Sequence, residues 1–337
     1  DETAVQNLRS FSEKQGLPVA CSFRRQQLLD HLHPNYAGDV GLGINPALKS
    51  RIEESDLVIL LGARFSENPS QGFSLFDIPK ARQKLVHIHP GPEELGRIYV
   101  PDLSVNATPG TFLKAACDLA KVGDGGAEAA HAAYQAWTDE LPGTVGDVQM
   151  GSVMAELRDQ LPDDAIMTNG AGNYAIWLHR FWRFRQYGIQ LAPTSGSMGY
   201  GLPAAVAAKL RNPEKEVICF AGDGCFQMTL QEFGTAVQFG ANLIVLLVDN
   251  GVYGTIRMHQ EREYPARISA TDLQNPDFAL LAKAYGGHGE TVLKDAEFAP
   301  ALERARQSGK PALIHIRTDP EAITPTTTLT ALRNAGT

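Results

Sequence analysis

Short apolar runs alternate with amphipathic stretches along most of the chain, and that rhythm predicts its elements. In the first third, Ala4 to Lys14 has helical spacing and is stopped by Gly16, and Leu17 to Ser22 is a short strand. A helix over Asn45 to Glu54, with Pro46 near its start, precedes the apolar run Asp56 to Gly62. Lys84 to His89 is a strand closed by Pro90, Leu103 to Asn106 another, and Pro109 to Leu119 a helix. Strands alternating with helices predict a parallel sheet covered on both faces.

From Lys121 to Met150 the composition turns to Gly and Ala, with one helix, Ala127 to Glu140. This segment reads as a linker between two domains. Beyond it the α/β rhythm returns. A helix over Ser152 to Leu161 leads to a strand at Ala165 to Thr168, then an aromatic-rich helix reaching about Arg183. Strands follow at Gly188 to Leu191, Val217 to Ala221, Leu243 to Val248 and Ala312 to Thr318. Helices are expected at Ala204 to Leu210 and Pro276 to Tyr285, and a polar loop at Arg257 to Asp272. The fold class is α/β, with two doubly wound parallel-sheet domains, the first of them Rossmann-like. The expected boundaries are 1–122, a linker over 123–150, and 151–330.

Composition narrows the function. The chain has 337 residues, 43% of them hydrophobic and 20% charged, with a net charge of −8. That charge argues against nucleic acid or an anionic membrane as the partner. The four cysteines, Cys21, Cys117, Cys219 and Cys225, form no Cys-x-x-Cys pair, so neither zinc nor a disulfide framework is indicated, and a reducing cytoplasm is the simplest setting. No apolar run approaches the ~20 residues of a membrane span, and no signal peptide opens the sequence.

The chemistry concentrates where strands end. Val217 to Ala221 runs into Gly222-Asp223-Gly224, and Leu243 to Val248 into Asp249-Asn250-Gly251. In an open parallel sheet, ligands bind at the carboxyl ends of the strands. Asp223 and Asn250 each place one short oxygen-bearing side chain there, which suits Mg²⁺ holding a phosphate group. Four such loops are rich in glycine: 169–174, 194–201, 222–225 and 249–254. Helices begin just after the first three, offering N–H groups to a diphosphate. None of the four contains Lys or Arg, so a metal would have to supply the positive charge. Gly123-Asp124-Gly125 repeats the tripeptide without a preceding strand, so the triplet alone carries no signal.

Gly222-Asp223-Gly224, then 24 residues (225–248), then Asp249-Asn250 resembles the signature of thiamine-diphosphate enzymes, with Asp in place of the first Asn. SGSMGYGLPAA (195–205), TNGAGNYAIW (168–177), DLVILLGARFSE and KLVHIHPGPEELGR resemble segments of the acetolactate synthase group. The resemblance spans nearly the whole chain and is strongest over 165–260. It implies thiamine diphosphate and Mg²⁺ as cofactors, and decarboxylation or carboligation of a small 2-oxo acid. It implies metal binding by Asp223, Asn250 and the Val252 carbonyl, within the cofactor-binding loop that runs on through Tyr253 and Gly254. Gly224, Cys225, Ala171, Gly172, Asn173 and Tyr174 would line the diphosphate. The Gly196 carbonyl would accept from the aminopyrimidine, and Met198 would wedge between the two cofactor rings.

Bland readings stand beside these roles. Met198 outside its glycine context reads as core, Cys225 as a small residue at a helix start, Tyr174 as packing and His89 as structural. His259 is either a substrate contact or a solvated loop residue; acetolactate synthases usually place Trp there. FAD binds some members of the group, but no distinctive flavin segment is visible, and Arg64 is the residue to test.

Members of this family begin with a pyrimidine-binding domain that carries an activating glutamate, and no stretch here resembles it. The expectation is therefore a C-terminal portion of a longer enzyme, with the middle domain truncated at its start, inactive alone and a homodimer or homotetramer in full. Two other readings remain: a non-catalytic module binding Mg²⁺-diphosphate ligands, and a dinucleotide-dependent oxidoreductase. The latter requires a GxGxxG turn after a first strand, which neither half offers in the right context.

Overall fold

The computed structural model describes residues 1–335. They divide into two units, Asp1–Glu140 with Arg183–Tyr187, and Leu141–Trp182 with the chain from Gly188 onward. All the sheets are parallel.

In the first unit, α1 (Glu2–Gln15) ends at Gly16, whose φ of 64° is the left-handed cap that glycine adopts without strain. Strands β1 (Val19–Cys21) and β2 (Tyr36–Asp39) form one parallel pair. After α2 (Pro46–Glu54), strands β3 (Leu57–Leu61), β4 (Lys84–His89) and β5 (Leu103–Asn106) form a separate sheet in that order. Helix α3 (Pro109–Ala116) packs on α1. Helix α4 (Ala127–Thr138), which sequence reasoning assigned to a linker, lies on β2, with His131 Nδ1 2.8 Å from the Tyr36 carbonyl oxygen. The unit closes on a core that includes Leu48, Leu60, Phe65, Phe76, Leu85 and Tyr99.

The second unit opens with α5 (Met150–Gln160), β6 (Ile166–Asn169), α6 (Tyr174–Phe181), β7 (Gln190–Leu191) and α7 (Gly201–Arg211). Then come β8 (Val217–Gly222), the short α8 (Asp223–Gln227), α9 (Glu232–Gln238) and β9 (Ile244–Asp249). The chain continues through α10 (Gly254–Glu263), α11 (Phe278–Ala284), β10 (His288–Val292), α12 (Asp295–Gln307), β11 (Ala312–Arg317) and α13 (Leu329–Ala335). The six strands lie in the order β10-β11-β9-β8-β6-β7. β8 and β9 are buried along their whole length, which explains their unbroken apolar sequence. From β6 the chain turns one way to β7, then crosses back to β8 on the other side. The carboxyl ends of β6 and β8 therefore flank a topological switch point, the usual ligand crevice of such sheets.

One local expectation is corrected. The polar stretch from Arg257 is not a loop: α10 runs from Gly254 to Glu263, and only the part after it is irregular. Its residues include good helix formers (Arg257, Met258, Gln260 and Glu261) but show no apolar stripe, so periodicity could not reveal it. Arg257 and Glu261, one turn apart, pair at 3.1 Å. The Glu261 side chain is fully buried because Arg333 of α13 also grips it, at 2.6 and 2.9 Å. Among the described residues, no helix is long and apolar enough to cross a membrane.

Candidate functional site

The loops after β6, β7, β8 and β9 converge at the switch point. Glycine makes the approach close enough. A Cβ on Gly222 would stand 2.6 Å from the Tyr174 ring, and one on Gly224 2.6 Å from the Tyr253 ring. The outer residues of the Gly-Asp-Gly turn are thus each pinned by an aromatic side chain from another loop, and no side chain fits at either.

Tyr174 and Cys225 meet beneath these loops. The Tyr174 hydroxyl accepts from Gly170 N at 3.1 Å and donates to Cys225 Sγ at 3.2 Å, and that sulfur also accepts from Gly199 N at 3.2 Å. Burial holds the Tyr174 phenol well above its ordinary range, so it stays protonated. The Asn173 side chain turns toward α10: Oδ1 accepts from Thr255 Oγ1 at 2.8 Å, and Nδ2 donates to the Ile323 carbonyl at 3.2 Å. Ala171 and Gly172 are half-buried beside it. Gly196 and Met198 stand on the exposed part of the loop after β7, and His259 is exposed on α10.

Asp223 is 4% exposed. Its Oδ1 accepts from Gly224 N at 2.8 Å, and its Oδ2 from Gly251 N at 3.0 Å and Asn275 Nδ2 at 2.8 Å. Asp249 lies beside it, 1% exposed. Asp249 Oδ1 accepts from Gly251 N at 2.9 Å and Asn275 Nδ2 at 2.7 Å, while Oδ2 lies 2.7 Å from His315 Nε2 and 3.5 Å from Arg317. Burial pushes the Asp223 carboxyl up to about 6, with the Asp249 charge adding to the rise. Burial also raises Asp249, but hydrogen bonding with His315, Asp223 and Asn275, with the Arg317 charge, outweighs it and brings the group down to about 2.

Asn250 Oδ1 accepts from Val252 N at 3.2 Å, the tight turn that Asx residues make at strand ends. Gly251 supplies a φ of 69° within it. The turn is stitched to the segment before α11 by Tyr253 N to Thr271 O and Leu273 N to Gly251 O, both 2.8 Å. Strand ends and turns thus bring Asp223, Asn250 and Val252 to one place, together with Gly224, Cys225, Tyr253 and Gly254.

The donor set fits a hard cation. The side-chain and carbonyl groups gathered here are oxygens, and burial together with the neighbouring Asp249 charge raises the Asp223 carboxyl. Among the described residues no group of three or more His, Cys, Asp or Glu side chains could hold a metal, which leaves a mixed carboxylate, amide and carbonyl set. Sequence reasoning missed Asn275 and His315. His315 alternates with apolar residues in the buried strand ALIHIR, where a polar group demands a partner; Asn275 precedes Pro276, a turn signal.

Comparison with known proteins shows the family. Residues 170–316 match the family model described as the thiamine pyrophosphate enzyme C-terminal TPP binding domain, and residues 1–116 match that of the central domain. The acetolactate synthase isozyme 2 large subunit of Escherichia coli (strain K12) is 28% identical over 94% of this chain and 57% of its own length. The acetolactate synthase large subunit of Parasynechococcus marenigrum is 31% identical over 93% of this chain and 52% of its own. That of Corynebacterium glutamicum is 30% identical over 92% and 52%. The chain spans about half the length of the curated relatives it matches. With both of its domains matched and the cofactor loops inside the C-terminal match, the chain belongs to the thiamine pyrophosphate enzyme family, acetolactate synthase-like in sequence.

Proposed function

We propose that this chain holds thiamine diphosphate through Mg²⁺ and serves a cytoplasmic decarboxylase or carboligase acting on small 2-oxo acids. One observation carries the reading. At the switch point, the buried Asp223 carboxylate, raised to about 6, shares a turn network with Asn250 and Val252, and none of the four loops carries a cationic side chain. A divalent cation held by Asp223, Asn250 and the Val252 carbonyl would supply positive charge for a diphosphate.

When bound, thiamine diphosphate supplies the electron sink that decarboxylation of a 2-oxo acid needs. The residues of this chain would bind and orient it. Asp223, Asn250 and the Val252 carbonyl would hold the cation. Gly224, Cys225, Ala171 and Gly172 would bring backbone close to the diphosphate, with Asn173 and Tyr174 beside them in the loop that carries it. Gly196 and Met198, on the exposed loop, are assigned to the aminopyrimidine and the ring junction. His259 is assigned to substrate contact, and the active form to a homo-oligomer. Flavin forms no part of the proposal: Arg64 is exposed after β3.

The test is calorimetric. Asp223→Ala and Asn250→Ala should each abolish Mg²⁺-dependent binding of thiamine diphosphate, and unchanged binding in either variant overturns the assignment. Turnover of pyruvate or another 2-oxo acid then separates an enzyme from a binding module.

A further inference from the structure

We infer that Asn275 is a positioning residue that decides which Asp223 oxygen meets the cation, braced by the Asp249–His315 pair. The inference rests on the reading of Asp223 as a cation ligand.

The argument starts from donor and acceptor counts. An ionised carboxylate offers about four lone-pair sites, two on each oxygen. Asp223 Oδ2 already accepts two hydrogen bonds, from Gly251 N at 3.0 Å and Asn275 Nδ2 at 2.8 Å. Oδ1 accepts one, from Gly224 N at 2.8 Å. Of the two oxygens, Oδ1 is the less engaged by these donors, and the cation would meet Asp223 through it.

Asn275 can perform this task because its amide is fixed at both ends. Its two N–H bonds are divided between Asp223 Oδ2 at 2.8 Å and Asp249 Oδ1 at 2.7 Å. Its Oδ1 accepts from Gln227 Nε2 at 3.0 Å. A flipped amide would set an oxygen against two carboxylates and a donor against a donor, so chemistry selects one orientation. Asp249 anchors the amide from the far side. It is 1% exposed, and its other oxygen faces His315 Nε2 at 2.7 Å. An asparagine at position 249 would offer a single acceptor oxygen, whereas Asp249 serves Asn275 and Gly251 with one oxygen and His315 with the other. The Asp that departs from the Asn-Asn signature thus has a structural use.

The segment carrying Asn275 is also tied to the turn carrying Asn250 and Val252. Val252 and Asp272 form an antiparallel bridge, and Leu273 N donates to Gly251 O at 2.8 Å. The positioning amide and the Asn250–Val252 turn are therefore tied to each other through this short stretch of backbone.

The experiment titrates Mg²⁺ into the 337-residue chain at fixed thiamine diphosphate, and thiamine diphosphate at saturating Mg²⁺. It compares wild type, Asn275→Ala and Gln227→Leu, with a thermal melt of each. In Asn275→Ala the Mg²⁺ concentration at half-saturation should rise roughly 10- to 100-fold, the usual cost of losing a group that orients a metal ligand. Affinity for thiamine diphosphate at saturating Mg²⁺ should stay close to wild type, a split that a purely structural role would not produce. Gln227→Leu should shift Mg²⁺ in the same direction by less, and it decides the matter if Asn275→Ala does not fold. Unchanged Mg²⁺ half-saturation in a folded Asn275→Ala, or in Gln227→Leu when it stands alone, overturns the inference. Wild type binding thiamine diphosphate without regard to Mg²⁺ refutes the underlying site, and the inference falls with it.

Discussion

Replacing Asp223 by Asn should stabilise the cofactor-free protein while disabling its cation site. The folded carboxyl titrates at about 6 against an ordinary 3.8 because burial penalises its charge. Between those values the native state holds more protons than the unfolded chain, so stability falls as pH rises through the window and stays lower above it. Asp223 and Asp249 titrate as a pair, one raised and the other lowered, so about two units at ~1.4 kcal/mol each bound the Asp223 cost to the fold at roughly 3 kcal/mol or less. Asn removes that charge but has one acceptor oxygen where Asp223 serves Gly224 N, Gly251 N and Asn275 Nδ2. Leaving a donor without its partner costs ~1–3 kcal/mol. The net gain is at most ~2 kcal/mol, a rise of no more than a few degrees in melting temperature for a unit of this size. The assay is a thermal melt of wild type and Asp223→Asn at about pH 8 and about pH 4, with and without Mg²⁺ and thiamine diphosphate. The variant should melt higher at the upper pH, lose that advantage at the lower, and show no upward shift with the cofactor pair. An Asp223→Asn protein equally destabilised at both pH values would refute the reasoning.

Other consequences follow from the same structure. His315→Ala removes the group facing Asp249 Oδ2 and should cost about 2 kcal/mol, read by denaturant unfolding, because a carboxylate 1% exposed loses one close hydrogen-bond partner. Gly222→Ala should abolish cofactor binding in calorimetry, since its Cβ would meet the Tyr174 ring at 2.6 Å. Gly289→Ala, whose Cβ would lie 2.1 Å from the Ala279 carbonyl oxygen, should lower stability by ~1–3 kcal/mol yet leave Mg²⁺ half-saturation unchanged in the surviving folded protein. Glu261 is brought down to about 2, first by Arg333. Its contribution is therefore present above about 4.5 and lost as pH falls toward 2, and Arg333→Ala should shrink that acid-sensitive part while speeding hydrogen exchange in α10 and α13.

Much of the second unit was legible in the sequence. Fully buried parallel strands leave unbroken apolar runs, which is why β8 and β9 stand out and why their terminal turns could be read as strand ends. Asp223 and Asn250 followed from that placement. The elements that escaped have a common cause. Helix α10 is polar around most of its surface and buries Glu261 by ion pairing, so no hydrophobic period marks it. Strand β2 reads YAGD, with a glycine and an aspartate in four residues, and β10 reads HGETV. Helix α4 looked like part of a linker because Ala and Gly dominate its surroundings, yet His131 and Tyr134 anchor it by contacts from distant sequence. Asn275 was invisible for the same reason: its significance lies in two carboxylates 52 and 26 positions away.

The central claim is that Asp223, Asn250 and Val252 hold one divalent cation. A crystal of the chain grown with Mn²⁺ and thiamine diphosphate, examined by anomalous diffraction, tests it most directly. The account predicts a single strong peak within bonding distance of Asp223 Oδ1, Asn250 Oδ1 and the Val252 carbonyl oxygen. A folded, cofactor-bound chain with no peak there, or with the metal elsewhere, would contradict it.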